Sequence, residues 1–232
     1  MIVFDEESHT YTNTELDIKY ISVTTLLGNY KKPFDSDGHS KRVAAREGVS
    51  QEMVLEMWAA ETKKATDKGT KIHKLMEDFI KNGITRPEFN FLYKSYDDLV
   101  RLCIGNFKTV KAESLLYNHD YCVAGMSDII YENANDFIVA DFKTNKKFKF
   151  TTDFNDFFVD PISHLTYCEF NMYALQLSMY AYMHELVTGK KCKKLVVFYL
   201  NQDKWIPYHL NYMKTDIINI FKHYKIQSKN LI

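Results

Sequence analysis

Two consecutive segments with β-strand patterning, residues 121–131 and 137–144, constrain the fold of this chain more than any other feature of its sequence. Between them lies Asn-Ala-Asn-Asp, whose residue types favour a turn, so the two segments are expected to pair as an antiparallel hairpin. Because side chains alternate between the faces of a strand, Asp141 and Lys143 share one face of the second segment. The hairpin therefore places a carboxylate and an ammonium side by side.

The first segment of the hairpin carries a further carboxylate, Asp128. Its face of the strand is otherwise apolar, consisting of Cys122, Ala124, Met126 and Ile130. A turn centred between Ala134 and Asn135 sets Asp128 opposite Asp141, where two carboxylates repel and a bound divalent cation is the usual compensation. A turn centred on Ala134 alone slips the register by one residue and requires a bulge. The sequence leaves both registers open.

The remaining elements follow from apolar periodicity and from turn residues. They are an N-terminal hairpin, helices over 40–65, 69–82 (opened by Gly69) and 92–111, a strand over 113–117, a helix over 167–187, strands over 195–201 and 205–210, and a helix over 215–225. This order predicts an α+β fold with a mixed central β-sheet flanked by helices. We expect a single domain over residues 1–232, mainly helical over 1–111, with the sheet core and closing helices over 112–232.

The charge balance is neutral, with 30 basic and 30 acidic residues, which argues mildly against a nucleic-acid partner. Lysines nevertheless crowd three stretches, which form either basic stripes for phosphates or ordinary solvated surfaces. The three groups are Lys63, Lys64, Lys68, Lys71 and Lys74; Lys143, Lys146, Lys147 and Lys149; and Lys190, Lys191, Lys193 and Lys194.

Several cofactors and locations are not expected. The four cysteines are spread singly, without a Cys-x-x-Cys pair, which argues against zinc or an iron–sulfur cluster and for reduced thiols in the cytoplasm. No GxxxxGK[ST] loop is present, so no nucleotide is expected. The N-terminus lacks signal-peptide features and no segment approaches the ~20 apolar residues of a membrane span, so no membrane partner is expected.

Two residues outside the hairpin have both a structural and a chemical interpretation. His73 lies at the edge of the apolar stripe of its helix, where a histidine is either a core residue or a metal ligand. Glu113 opens its strand and either binds a second metal ion or faces solvent. An isolated Asp-x-Lys such as Asp141 and Lys143 is most often a surface ion pair, so the chemical interpretation depends on all four residues together.

Two further pairs are ambiguous in the same way. Gln176 and Tyr180 are spaced i and i+4 on a helix, so they project together, either as a polar helix edge or towards a substrate. Ser22 and Thr24 precede a helix, where capping of its N-terminus competes with phosphate binding.

Taken in order, these residues resemble the RecB-type branch of the PD-(D/E)XK nucleases. The motifs are Gly69-x-x-x-His73, Glu113, Gly125-x-x-Asp128, Asp141-x-Lys143 and Gln176-x-x-x-Tyr180. Within that branch, Ser22-Val23-Thr24 and the hairpin are most similar to the mitochondrial genome maintenance exonucleases and related phage exonucleases. The resemblance spans roughly residues 20–190.

The resemblance implies a restriction-endonuclease-like core, with the N-terminal helical region forming an arch over single-stranded DNA. It implies Mg²⁺ or Mn²⁺ held by His73, Asp128, Asp141 and the backbone carbonyl of Phe142, with Lys143 as the catalytic lysine and Glu113 as a further acidic residue of the site. The residues expected to contact DNA are Gln176, Tyr180, Lys63, Lys64, Lys68, Lys71, Ser22 and Thr24. The aromatic loop over 147–167 is long, and either contacts bases or covers the sheet.

The function implied is a metal-dependent DNA exonuclease acting on single-stranded or free-ended DNA in recombination, repair or replication, in a phage or its relatives. A structure-specific endonuclease on the same core and a catalytically silent nucleic-acid-binding module remain alternatives. Because the chain has no nucleotide-binding loop, a separate helicase or single-strand-binding protein is a conceivable partner.

Overall fold

A computed structural model of the chain describes residues 2–5, 8, 10–105, 107, 109–152 and 156–229. Its strands are β1 (Ile2–Asp5), β2 (Thr10–Asn13), β3 (Ile18–Ser22), β4 (Thr109–Asn118), β5 (Val123–Glu132), β6 (Asp136–Lys143), β7 (Lys191–Asn201) and β8 (Lys204–Leu210). Its α-helices are α1 (Val23–Gly28), α2 (Ser36–Glu47), α3 (Gln51–Asn82), α4 (Asn90–Leu99), α5 (Glu169–Thr188) and α6 (Lys214–Lys229). No helix within the described ranges is both long and apolar enough to span a bilayer.

The described strands form one mixed sheet in the order β1-β2-β3-β5-β6-β7-β8, and β4 pairs with the other edge of β5. The pairs β3–β5 and β6–β7 are parallel, whereas the remaining pairs are antiparallel. The fold is therefore α+β with a mixed central sheet flanked by helices, as the sequence predicts.

The hairpin of β5 and β6 has the first of the two predicted registers. Ile129 lies opposite Ala140, and this spacing continues to Glu132 opposite Phe137 without a bulge. The turn is fixed by Asn133, whose side-chain oxygen accepts hydrogen bonds from two backbone N–H groups at 2.9 and 2.8 Å. An Asn side chain that bonds its own following backbone in this way mimics a turn, which explains why the turn is centred where it is.

Helices cover both faces of the sheet. Phe137 and Val139 of β6 pack with α1, α5 and α6 in one apolar core, whereas Ile138 and Ala140 pack with α3 and α4 in another. This alternation is the period of two expected of a strand buried on both sides. Asp141 and Lys143, which share the parity of Phe137 and Val139, consequently belong to the α5 side of β6.

The edge of β5 that meets β6 is shared between two partners. Residues 123–124 pair with β3, and residues 129–132 pair with β6. The segment 125–128 lies between the two, where the strands β3 and β6 diverge. In this opening the side chain of Asp128 accepts the hydrogen bond from Phe142 N at 2.7 Å, in the place that a main-chain carbonyl takes in an ordinary ladder.

One detail of the predicted strand is wrong. Ala124 packs with β1, β2 and β3, whereas Ile130 packs with α5, so they do not line a single apolar face. Gly125 and Ile130 both face the α1 and α5 side, although they are five positions apart and strict alternation would place them on opposite faces. The alternation of side chains therefore breaks inside β5, next to Asp128, which the strict period of two could not anticipate.

Two predicted helix boundaries are also wrong. Gly69 does not open a helix, because α3 is continuous over its 32 residues and begins after Ser50, whose side chain accepts from Met53 N at 3.1 Å. A glycine inside a helix costs only about 1 kcal/mol. The predicted helix over 92–111 is shorter than expected: α4 ends at Leu99, a π-helical turn follows over Val100–Ile104, and β4 begins at Thr109.

The N-terminal region combines strands with helices. Within residues 1–111, β1, β2 and β3 join the central sheet before α1 begins, and α2, α3 and α4 follow. The helix pair α2 and α3, joined across the left-handed Gly48, supplies most of the helix in this part of the chain.

Candidate active site

Three carboxylates stand in register on three neighbouring strands. Ser114 pairs with Ser127 and Ala112 with Ile129, so the intervening Glu113 of β4 lies level with Asp128 of β5. The register of β5 with β6 continues to Asp128 level with Asp141. Glu113 has a φ of 50°, a left-handed conformation that non-glycine residues rarely adopt. The backbone is thus distorted where the acidic side chains meet.

The central carboxylate, Asp128, has two partners from different elements. Its Oδ2 atom accepts from Phe142 N at 2.7 Å and lies 3.2 Å from Nδ1 of His73. Burial works against ionisation of Asp128, but the charges of His73 and Lys143 outweigh it and hold the pKa of this carboxyl below its usual value. Asp128 is therefore an anion in the folded protein.

Asp141 has the opposite electrostatic balance. The residue is 2% exposed, and burial together with the charge of Asp128 raises the pKa of its carboxyl. Its Oδ2 atom lies 2.5 Å from Lys143 Nζ, but it accepts no hydrogen bond of normal geometry from the described residues. The contact is an ion pair, and this oxygen retains capacity for a further cation.

His73 reaches Asp128 from the helical layer on the other face of the sheet. It belongs to α3, whose neighbouring side chains Ile72 and Met76 are core residues, and its ring meets Phe142 edge-on at 6.1 Å. Burial lowers the pKa of His73, but Asp128 and Asp141 more than reverse that effect and raise the pKa to about 9. The imidazole is thus protonated at neutral pH beside the Asp128 carboxylate.

Lys143 is held between an acid and an aromatic ring. Its Nζ atom forms the ion pair with Asp141 and lies 4.8 Å from the centre of the Tyr173 ring, as a cation–π pair. Burial opposes its charge, yet Asp141 and Asp128 raise the pKa of Lys143 above its ordinary value. The ammonium is consequently charged and fixed in position.

Gln176 and Tyr180 project together from α5, as their spacing predicts. Gln176 Nε2 donates to the Tyr180 hydroxyl at 3.2 Å, and Tyr180 is 3% exposed. Burial raises the pKa of Tyr180 above its usual value, so the phenol is neutral and its oxygen accepts this bond. Tyr180 packs on β5 at Gly125, close to the opening beside Asp128.

An open cleft of about 700 Å³ reaches Asp128 and His73, whereas Asp141, Lys143 and Gln176 are not among its lining residues. Asp128, His73, Glu113, Tyr180, Ser22 and Thr24 are among its lining residues. Burial and the charges of Asp128 and Glu77 raise the pKa of Glu113 to about 7. The cleft therefore ends at a cluster of acidic groups that repel one another.

Ser22 serves as the N-cap of α1. Its Oγ atom accepts from Thr25 N at 3.0 Å and lies 3.1 Å from the hydroxyl of Thr24. Capping, the first of the two interpretations, is thus observed. Both hydroxyls also face the cleft, and their contact with DNA remains a prediction.

The exposed lysines of α3 do not all face the cleft. Lys63 lies seven residues before Thr70, which lines the cleft, so both share one side of the helix. Lys64, Lys68 and Lys71 follow i, i+4 and i+7 and form a separate stripe. Lys71 Nζ lies 4.9 Å from the centre of the Phe89 ring. Lys63 is therefore the member of the predicted set best placed towards the cleft.

The chemistry of the donors fits a divalent cation. One oxygen of the buried Asp141 has no hydrogen-bond partner among the described residues, and burial together with the charge of Asp128 raises the pKa values of Asp141 and Glu113. Among the described residues, however, no group of three or more His, Cys, Asp or Glu side chains is already arranged to hold a metal ion. His73 forms an ion pair with Asp128, and Lys143 forms one with Asp141.

Comparison with known proteins adds little to this geometry. No family model and no curated protein matches the sequence. Among solved structures, the chain is similar to the protein named SSO0001, at 14% identity, a TM-score of 0.40, and coverage of 90% of this chain and 75% of the other. It is also similar to a protein from Eubacterium rectale named as a candidate exonuclease, at 11% identity, a TM-score of 0.40, and coverage of 90% and 79%. A TM-score of 0.40 is too low to transfer a function.

One residue of the site escaped the sequence analysis. Tyr173, which contacts the Lys143 ammonium, was not among the candidates. It precedes Gln176 by three residues and Tyr180 by seven, so it lies on the same face of α5 as both of them. That spacing is a signal that could have identified it.

Proposed function

We propose that this chain is a metal-dependent nuclease that hydrolyses phosphodiester bonds of DNA, acting as an exonuclease on single-stranded or free-ended substrates. The observation that carries the proposal is that the ion pair of His73 with Asp128, which lines an open cleft, adjoins the buried ion pair of Lys143 with Asp141, whose charges shift the pKa values of Asp128 and His73. Acidic oxygens for a cation together with a fixed ammonium are the groups that phosphodiester hydrolysis requires.

Four groups would hold the cation: the side chains of Asp128, Asp141 and His73 and the backbone carbonyl of Phe142. When bound, a divalent cation polarises the phosphate and lowers the pKa of a water molecule. The hydrogen bond from Phe142 N already orients the Asp128 carboxylate, which would be one of these ligands. His73 would have to lose a ring proton to bind the cation. Because its pKa is raised, this step would make assembly of the site depend on pH.

Lys143 would stabilise charge on the phosphate. Its ammonium is already oriented by Asp141 on one side and Tyr173 on the other, so little side-chain entropy remains to be lost. Glu113, whose pKa of about 7 allows it to exchange a proton near neutral pH, would serve as a proton acceptor or second acidic ligand at the mouth of the cleft.

Preference for a single strand or a free end is supported by the helices between β3 and β4. The exposed pair α2 and α3 would form the predicted arch, and Lys63 and Lys74 of α3 lie on the side that borders the cleft. Lys63 is paired with Asp67 and Lys74 with Glu77, and exposed pairs of this kind exchange readily for phosphate contacts.

The decisive experiment compares end-labelled linear DNA with circular DNA, each single- and double-stranded, with Mn²⁺, with Mg²⁺ and with a chelator. We expect loss of the terminal label from linear single strands and no cleavage of circles. Cleavage of circular single strands would indicate an endonuclease on the same core. Absence of cleavage with either metal, together with retained DNA binding, would indicate a silent binding module. An Asp141→Ala variant controls for contaminating nuclease.

A further inference from the structure

A cluster of aromatic rings lies beside the candidate active site. Its members are Phe148, Phe150, Phe170, Tyr173, Tyr199 and Tyr208. Phe148 is central, because it stacks on Tyr208 with ring centres 4.4 Å apart and also meets Tyr173 at 5.6 Å. We call these six residues the aromatic shelf.

The aromatic shelf is continuous with the site of Lys143. The Lys143 ammonium lies over Tyr173, Tyr173 meets Phe148, and Phe148 meets Phe150 with ring centres 5.2 Å apart. A strand whose phosphate lies at Lys143 would therefore pass the rings directly.

One ring of the shelf is much more exposed than packing requires. Phe150 is 51% exposed, although Phe170 and Tyr208 support it at 5.5 and 5.3 Å. Tyr199 of the same shelf is 8% exposed and the other four rings are half-buried, so Phe150 is the outer member. Lys147, three residues before Phe150 in the chain, is exposed as well.

Resting on the proposed nuclease function, we propose that the aromatic shelf stacks an unpaired base of single-stranded DNA, with Phe150 as the accessible platform. Aromatic rings accept any base through its flat face, and a nearby lysine attracts the backbone phosphate. The bases of a duplex are already stacked on one another, so the shelf would favour a single strand. Of the two roles that the sequence allows for the aromatic loop, contacting bases or covering the sheet, this proposal assigns it the first.

The test measures binding without cleavage. Fluorescence anisotropy with labelled short oligo(dT), and with an abasic oligonucleotide of the same length, is recorded in a chelator for the full chain. We expect Phe150→Ala to weaken binding of oligo(dT) by about 5-fold or more and to leave binding of the abasic strand unchanged. Phe150→Tyr should retain wild-type binding, because it keeps the ring.

The matched control is Phe91→Ala. Phe91 is 38% exposed and meets Phe89 on the α3 and α4 side of the sheet, opposite the shelf. Three results would each overturn the proposal and leave the shelf as a cover of the sheet. In the first, Phe150→Ala weakens binding of oligo(dT) and of the abasic strand equally. In the other two, Phe150→Ala does not weaken binding, or the wild type does not bind oligo(dT). Thermal melting of each variant separates loss of binding from loss of fold.

The proposed function fails by a different result, namely absence of metal-dependent cleavage by the wild type. A wild type that cleaves linear DNA while Phe150→Ala binds oligo(dT) normally would retain the nuclease proposal and reject the base platform.

Discussion

The ring of Tyr180 fills the space in which a side chain at Gly125 would stand. A Cβ atom added to Gly125 would lie 2.7 Å from Cε1 of Tyr180 and 3.1 Å from Cγ2 of Val23. The absence of a side chain thus lets α5 approach β5 beside Asp128.

Gly125→Ala is expected to lower the free energy of unfolding by about 1–3 kcal/mol, because overpacking forces Tyr180 or the strand to move. Chemical denaturation measures this change. Gly28→Ala is the matched control, since nothing lies within 4 Å of its added Cβ. A Gly125→Ala protein as stable as the control would show that Tyr180 moves away at no cost.

A second prediction concerns a buried carboxylate at the far end of β5. Glu132 is 4% exposed, and burial alone would raise its pKa. Three donors outweigh burial and hold the pKa at about 2. They are Lys190 at 2.9 Å, Lys111 at 3.0 Å and His184 at 2.5 Å.

Because the pKa of Glu132 is depressed on folding, its stabilisation is present above the unfolded pKa of about 4.5 and is lost as the pH falls towards 2. The loss is about 3 kcal/mol in the free energy of unfolding. Denaturation of the wild type and Glu132→Gln over this range should show the difference between them shrinking as the pH falls. A constant difference from pH 6 to pH 2 would contradict it.

The third prediction concerns the choice of metal. An imidazole ligand suits Mn²⁺ better than Mg²⁺, which prefers oxygen. The wild type is expected to cleave DNA faster with Mn²⁺, and His73→Ala to reduce the difference between the two metals. His209→Ala, on the exposed side of β8, should keep the wild-type ratio. Initial rates in both metals decide the matter, and equal wild-type rates would refute the role of His73.

The fourth prediction separates catalysis from binding. Lys143→Ala should reduce the cleavage rate by about 100-fold or more, because it removes a fixed positive charge from the site. DNA affinity, measured by anisotropy in a chelator, should change little. The control is Lys94→Ala, an exposed lysine of α4. Similar cleavage by Lys143→Ala and the control would remove Lys143 from the reaction.

The fifth prediction concerns Tyr173 as a positioning residue for Lys143. Tyr173→Phe keeps the ring under the ammonium, so its kcat should remain near the wild-type value. Tyr173→Leu removes the cation–π pair and should lower kcat by roughly 2- to 30-fold with little change in KM. If the Phe and Leu variants behave alike, the ring does not orient the lysine.

Much of this fold follows from local sequence chemistry. The turn at Asn133, the alternation of β6 and the apolar stripe around His73 require only neighbouring residues, and the structure confirms the hairpin and selects the first of its two possible registers. Gly69 was misread because a glycine resembles a helix boundary locally. Within the fold, Gly69 faces Thr144, whose Oγ1 atom would lie 3.3 Å from an added Cβ.

The site was only partly predictable for the same reason. One of the two possible hairpin registers already places Asp128 opposite Asp141, whereas the contact of His73 with Asp128 joins residues 55 positions apart in the chain. The contact of Tyr173 with Lys143 likewise joins a helix to a strand that precedes it. Which of the helix's several polar side chains makes such a contact depends on how the helix is rotated, and spacing alone does not fix that rotation.

A fully hydrogen-bonded sheet separates the side chains of the layers on its two faces. β3 and β6 diverge along β5 and leave a gap in the sheet. Through this gap His73, from the α3 layer, reaches Asp128, whose carboxylate is held by the backbone N–H of Phe142 in β6. Extending the pairing of β3 or of β6 with β5 by two residues would close this gap. Such a change would separate His73 from Asp128 while leaving every residue of the site in place.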